Sequence, residues 1–157
     1  MTDQARAQLQ RMTQKARSLL EDEYAEQLAG LYDIRPDGPM PTLPGAHLSE
    51  GQQLVWSKLV AAISHMRAIT KDASEAVASY VRGAAFTTLN RFVALKMLEE
   101  RGLVRRCISH GIDSSGFREF VGLAPALMQQ PEAAYQLYLE SIFDEIGREV
   151  GVLFDRR

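Results

Sequence analysis

Apolar residues recur at helical spacing along most of the chain. Over residues 1–32, Leu9, Met12, Ala16, Leu19, Leu20, Tyr24, Leu28 and Leu31 form one stripe, with Arg, Gln and Glu between them. A 3.6-residue period of this kind predicts a long amphipathic N-terminal helix, and Gly30 weakens its last turn. The pattern stops at residues 33–48. Pro36, Pro39, Pro41 and Pro44, with Gly38 and Gly45, exclude a helix and remove four amide donors, so this stretch reads as an extended linker over the surface.

A second helix is expected from Ser49. Ser49 and Gln52 fit a capping box, and Leu54, Val55, Leu59, Ala62, Ile63, Met66 and Ile69 carry the stripe onward. A third runs from Asp72 to about Arg101 and stops at Gly102. Its apolar positions, from Val77 through Val81, Ala85, Leu89, Val93 and Leu98, cover more than one stripe, the pattern of a helix central in a bundle. Glycines and Pro125 break residues 103–130 into short pieces. Ser114 or Ser115 there can cap a short helix through Phe117–Val121, with Phe117 and Phe120 anchored in the core and Arg118 outside. Pro131 suits the first turn of a last helix, and Val150–Phe154 is the one strand candidate. These elements predict an all-α fold. A long N-terminal helix (1–32) and a Pro-rich linker (33–48) precede a helical bundle domain (49–157) that ends in a C-terminal helix.

Composition adds limits. At 157 residues the chain is one domain's worth, long enough to bury a core without metal or disulfide staples. A single Cys excludes an intramolecular disulfide framework. The absence of any long apolar run and of a leader's hydrophobic segment leads us to expect a soluble, cytoplasmic protein with no membrane partner. The net charge of −2 hides an asymmetry. Residues 1–48 carry a net −2, residues 49–110 a net +4, and residues 111–157 a net −4. Two readings follow. The opposite charges pair between packed helices, or Arg82, Arg91, Lys96, Arg101, Arg105 and Arg106 face DNA phosphates or a partner.

Candidate chemistry is sparse. Cys107 and His110 have the spacing of half a zinc site, but His47 and His65 supply no second half, so Cys107 is expected to pack as a small hydrophobe. The carboxylate pairs Glu21–Asp22–Glu23, Glu99–Glu100 and Asp144–Glu145 are adjacent residues, about 100° apart on a helix, and read as solvated faces. No strand–turn–helix elbow presents a nucleophile, and no Gly-rich phosphate loop follows a strand. Catalytic, cofactor-binding and metal-binding residues are therefore not expected in this chain. Asn90, Arg91 and Glu99 stand out as polar residues in an apolar helix. The pattern predicts Asn90 bonded to a neighbouring loop and Arg91 paired with an acid of the last helix, among Asp144, Glu145 and Glu149. The other reading makes Asn90 and Arg91 contacts to a partner or nucleic acid.

The stretch AFTTLNRFVALKMLEERG, residues 85–102, resembles the N-terminal helical region of large adenine-specific DNA methyltransferases. That pattern is an aromatic or Thr-rich turn, then Asn-Arg, then an apolar Val-Ala-Leu run ending near Glu. Phe86, Asn90, Arg91, Val93, Ala94, Leu95 and Glu99 match it. Such enzymes include the PglX-like methyltransferases of BREX, those of DISARM phage defence, and Type IIG restriction–modification enzymes. SSGFREFVGLAP and YLESIFDEIGREVGVLFDRR are similar to members of the same group, so the resemblance covers roughly residues 75–157. It implies a parent enzyme that flips an adenine from the duplex and methylates its exocyclic nitrogen with S-adenosylmethionine. The family's Gly motif for that donor and its Asn-Pro-Pro-Tyr motif do not occur here, nor does a PD-(D/E)xK nuclease pattern. The resemblance thus implies an N-terminal fragment or separate subunit, an expectation that the apolar Val152-Leu153-Phe154 ending fits. Its implied task is to brace the catalytic methyltransferase domain or subunit and to contact double-stranded DNA. The alternative is a free-standing helical protein–protein interaction or regulatory module with no enzymatic role.

Overall fold

The computed structural model describes residues 2–70 and 72–154, with side chains to residue 148. The fold is all-α. Among the described residues five helices run in order: α1 (Asp3–Gly30), α2 (Glu50–Thr70), α3 (Ala73–Glu100), α4 (Ser115–Leu123) and α5 (Pro131–Phe154). Short 3-10 turns occupy Gly111–Asp113 and Pro125–Gln129. Among the described residues there is no strand. Val150–Phe154, the strand candidate, continues α5 instead. A helix already propagating adds one backbone bond per residue, whereas a lone strand has nothing to pair with. No helix among the described residues is long and apolar enough to cross a membrane.

Local chemistry explains the helix ends. The Ser49 amide donates to Gln52 Oε1 at 2.9 Å and the Gln52 amide donates to Ser49 Oγ at 3.3 Å, so the capping box is formed. Asp72 Oδ1 accepts from the amides of Ser74 and Glu75 and starts α3. Gly102 closes it in the left-handed region, at φ 69°. The Gly102 amide donates to the Glu99 carbonyl and the Leu103 amide to the Leu98 carbonyl, both at 3.0 Å, a Schellman closure. Ser114 is the cap of α4; its Oγ accepts from the Phe117 amide at 3.3 Å.

The chain divides into two compact units, one through Leu89 and one from Asn90 onward. The division falls inside α3, not at the linker, because the linker belongs to the first unit's core. Ile34 is fully buried there with Leu28, Ile63, Val77 and Val81, and Leu48 is buried as well. The linker is therefore not simply extended over the surface. Prolines remove amide donors but leave the apolar side chains between them free to pack. The Ile34 amide donates to the Leu28 carbonyl at 2.8 Å, and the Arg67 guanidinium donates to the Gly38 carbonyl at 3.2 Å. Tyr24 and Thr88 share a hydroxyl hydrogen bond of 2.7 Å.

The second unit packs Leu95, Cys107, Phe117, Val121, Ala134, Tyr138 and Leu139 into one cluster. Phe117 is its centre, with the Tyr135 ring edge-on at 5.4 Å and the Tyr138 ring at 5.9 Å. Phe120 packs beside it, 5.3 Å from Tyr138, and Arg118 stays outside in an ion pair with Asp113.

Candidate functional site

The most organised polar feature of the molecule is a carboxylate inside the second unit. Glu99 stands one turn after Leu95 and so shares its buried face. The Schellman turn at Gly102 sends the chain back along the helix end. Three successive amides, of Cys107, Ile108 and Ser109, then donate to Glu99 Oε2 at 2.9, 2.9 and 3.1 Å. Lys96 Nζ donates to Glu99 Oε1 at 2.9 Å, to Glu100 at 2.6 Å and to the Ser109 hydroxyl. The Glu99 side chain is only 2% exposed. Burial alone would raise its pKa, but the donors from Ser109, Lys96 and Cys107 outweigh burial and hold the carboxyl well below the usual range.

The loop pinned by Glu99 is also held from the opposite side. The Tyr135 hydroxyl donates to the Cys107 carbonyl at 2.6 Å, and the Gly116 amide donates to the Arg106 carbonyl at 3.0 Å. Cys107 is fully buried and packs as a small hydrophobe. Burial, with the Glu99 charge adding, pushes its thiol pKa up, which opposes the thiolate that nucleophilic chemistry needs. Burial also pushes the Tyr138 hydroxyl up to about 12. This cluster holds a loop in place, and its groups keep a fixed protonation state near neutral pH. Among the described residues, no group of three or more His, Cys, Asp or Glu is placed to hold a metal ion.

The basic candidates separate into two sets. Arg82 pairs with Glu75, Lys96 with Glu99 and Glu100, and Arg105 with Glu119 at 2.7 Å. Arg91, Arg101 and Arg106 are exposed and make no ion pair among the described residues. For Arg91 this corrects the sequence expectation as regards Asp144 and Glu145. Its guanidinium lies over the ring of Phe143, 5.8 Å from the centroid, and not on Asp144 or Glu145. The Glu149 side chain lies outside the described residues. Asn90 is exposed too and has no hydrogen bond to a neighbouring loop among the described residues. Helix α3 is apolar on two faces, but among the described residues of the second unit the core cluster covers the face of Leu95. Val93 (47% exposed) and Met97 (51%) lie on the other side in line with Asn90, at spacings of three and four residues. In the first unit, Phe86 is likewise exposed on α3.

Glu99 stands out in the sequence as a polar residue of the helix, but the reading of the Glu99–Glu100 pair as a solvated face is corrected for Glu99. The Cys107, Ile108 and Ser109 amides hold it in the buried face, while Glu100 stays exposed. The usable signal was its position one turn after Leu95, ahead of the Gly102 stop. Nothing in the residue types foretells that the partners are backbone amides. No protein-family model matches the chain, and no curated protein or solved structure is found similar to it.

Proposed function

We propose that the chain is a non-catalytic helical docking domain that braces the catalytic part of an adenine-specific DNA methyltransferase of a phage-defence or restriction system. The observation that carries this reading is how the resembling helix divides its residues. Leu95 and Glu99 build the second unit, whereas Asn90, Arg91, Val93 and Ala94 remain exposed. The exposed set combines an apolar strip with an amide and a guanidinium, the composition of a partner-facing patch. The buried set explains why the helix keeps a carboxylate in an apolar run. S-adenosylmethionine belongs, on this reading, to the partner's catalytic domain, because this chain lacks the motifs that hold it.

The test is made in the cells that carry the gene. Val93→Asp with Met97→Asp alters only exposed positions, so the purified chain should melt like the parent. N6-methyladenine at the enzyme's recognition motif, read by single-molecule sequencing, should fall at least tenfold. A correctly folded variant with an unchanged methylome would sink the proposal and favour a free-standing interaction module.

DNA contact is a separable part of the proposal. Arg91, Arg101 and Arg106, which make no ion pair among the described residues, can neutralise about three phosphates. The logarithm of the binding constant should then fall with the logarithm of salt at a slope of about −3, and binding should ignore sequence. Replacing Arg101 and Arg106 with Ala should reduce that slope by about 2. Fluorescence anisotropy on two unrelated duplexes measures both. Binding that does not change with salt would remove DNA backbone contact from the reading.

A further inference from the structure

Three helices of the first unit leave a cavity of about 210 Å³ between them. Each gives it one face. Tyr24 and Leu28 of α1, Val55 and Leu59 of α2, and Tyr80 and Ala84 of α3 are pairs four residues apart, one turn along the same side of each helix. Tyr32, just past the end of α1, adds a third tyrosine, and Gln27 adds an amide. Gln27 and Val55 are exposed, so the cavity reaches solvent there. Protein interiors hold few voids larger than a water molecule, and this one is much larger. Ala84 is the smallest side chain around it, and a longer one at that position would occupy the space.

The lining selects its occupant by chemistry. Among the described residues no charged side chain lines the cavity, so nothing there offsets the desolvation of an ion. The Tyr24 hydroxyl is taken up by Thr88 at 2.7 Å. The Tyr32 and Tyr80 hydroxyls and the Gln27 side-chain amide make no hydrogen bond among the described residues and remain free to bond a ligand. Burial, with the Tyr24 hydroxyl adding, pushes the Tyr80 pKa up, so that hydroxyl stays neutral. Tyrosine rings favour a flat aromatic ring, edge-on or offset, over an aliphatic chain. An apolar cavity of about 150 Å³ takes benzene, so this one has room for a second fused ring. We propose that the first unit binds a small neutral bicyclic aromatic, of the size and polarity of indole, in this cavity. The ligand's N–H or O–H donates to a free tyrosine oxygen, and its rings lie among Tyr24, Leu28, Leu59 and Tyr80. A peptide or helix of a partner protein is too large for the volume. The inference does not depend on the methyltransferase reading.

Calorimetric titration of the full chain with indole tests it. Binding is expected with Kd on the order of a hundred micromolar for so small a ligand. Indole-3-acetate, an anion with the same rings, should bind roughly tenfold more weakly or worse. In methyl-detected NMR of the unaltered chain, indole should shift the signals of Leu28, Val55 and Leu59 and leave those of Val121 and Leu139 in place. Ala84→Leu should abolish both the heat and the shifts while keeping the far-ultraviolet helical signal, and Ala84→Ser should bind like the parent. Tyr32→Phe with Tyr80→Phe should raise Kd for indole severalfold and leave Kd for indene, which lacks the N–H, unchanged. No binding at millimolar indole, shifts confined to other methyls, equal affinity for indole-3-acetate, or a folded Ala84→Leu chain that binds like the parent would each overturn the proposal.

Discussion

Glu99→Ala should be among the most damaging single substitutions in the chain, costing about 3 kcal/mol of stability. The change leaves the Cys107, Ile108 and Ser109 amides without their shared acceptor and Lys96 without its buried partner. The Cys107 donor lies in the core, so water cannot replace the carboxylate there without opening the cluster. Glu99→Gln keeps the shape and one acceptor oxygen but loses the charge and turns two donors toward donors. It should fall between the parent and the alanine variant. Urea denaturation followed by tyrosine fluorescence measures both. A loss below about 0.5 kcal/mol for Glu99→Ala, the size of an ordinary surface change, would mean that the loop is held without the carboxylate.

The same carboxylate sets an acid limit. Its folded-state pKa is depressed, so the stability that it contributes is fully present above the ordinary carboxylate range. That contribution is lost as pH falls through the range toward the folded value. The difference in stability between the parent and Glu99→Gln should therefore be constant from about pH 7 to 5.5 and shrink steadily below about pH 4.5. A difference that persists unchanged to pH 3 would show that the donors do not favour the charged form.

Much of this architecture was legible because it is written in local chemistry. The Ser49–Gln52 box, the Gly102 stop, the Ser114 cap and Pro131 in the first turn of α5 each need only residues a few positions apart. What failed depends on where distant segments meet. Burial of Ile34 is decided by Leu28 of α1, Ile63 of α2 and Val77 and Val81 of α3, not by the prolines around it. Arg91 found the face of Phe143 rather than Asp144 or Glu145, since a charge sum over a segment does not say which side chain stands opposite. Apolar residues on more than one stripe of α3 predict a helix central in a bundle, yet the unit that contains Val93 and Met97 leaves them in solvent. For the candidate site the sequence supplied the residue, Glu99, and withheld the geometry, because backbone donors carry no residue signature.

The two glycines of α4 should respond to the same substitution with opposite signs. Gly116 sits where α4 meets the loop and α5. Its amide is bonded to the Arg106 carbonyl, and a Cβ added there would stand 2.9 Å from that carbonyl oxygen and would overlap the Tyr138 hydroxyl. Neither neighbour yields easily. The carbonyl belongs to the loop pinned by Glu99, and Tyr138 is packed against Phe117 and Phe120. Gly116→Ala should cost about 2–3 kcal/mol, the upper range for overpacking a core. Gly122, six residues on, has open space around its Cα and helical neighbours on both sides. Gly122→Ala should stabilise the chain by about 0.5–1 kcal/mol, because alanine lowers the entropy of the unfolded chain at no steric cost. Tyr138→Phe removes the overlapping oxygen, so in the double variant it should recover part of the Gly116→Ala loss and leave the share due to Arg106. Thermal melts of the four variants and the parent decide it. Equal effects at the two glycines would mean that the loop and α5 do not close over α4 at Gly116.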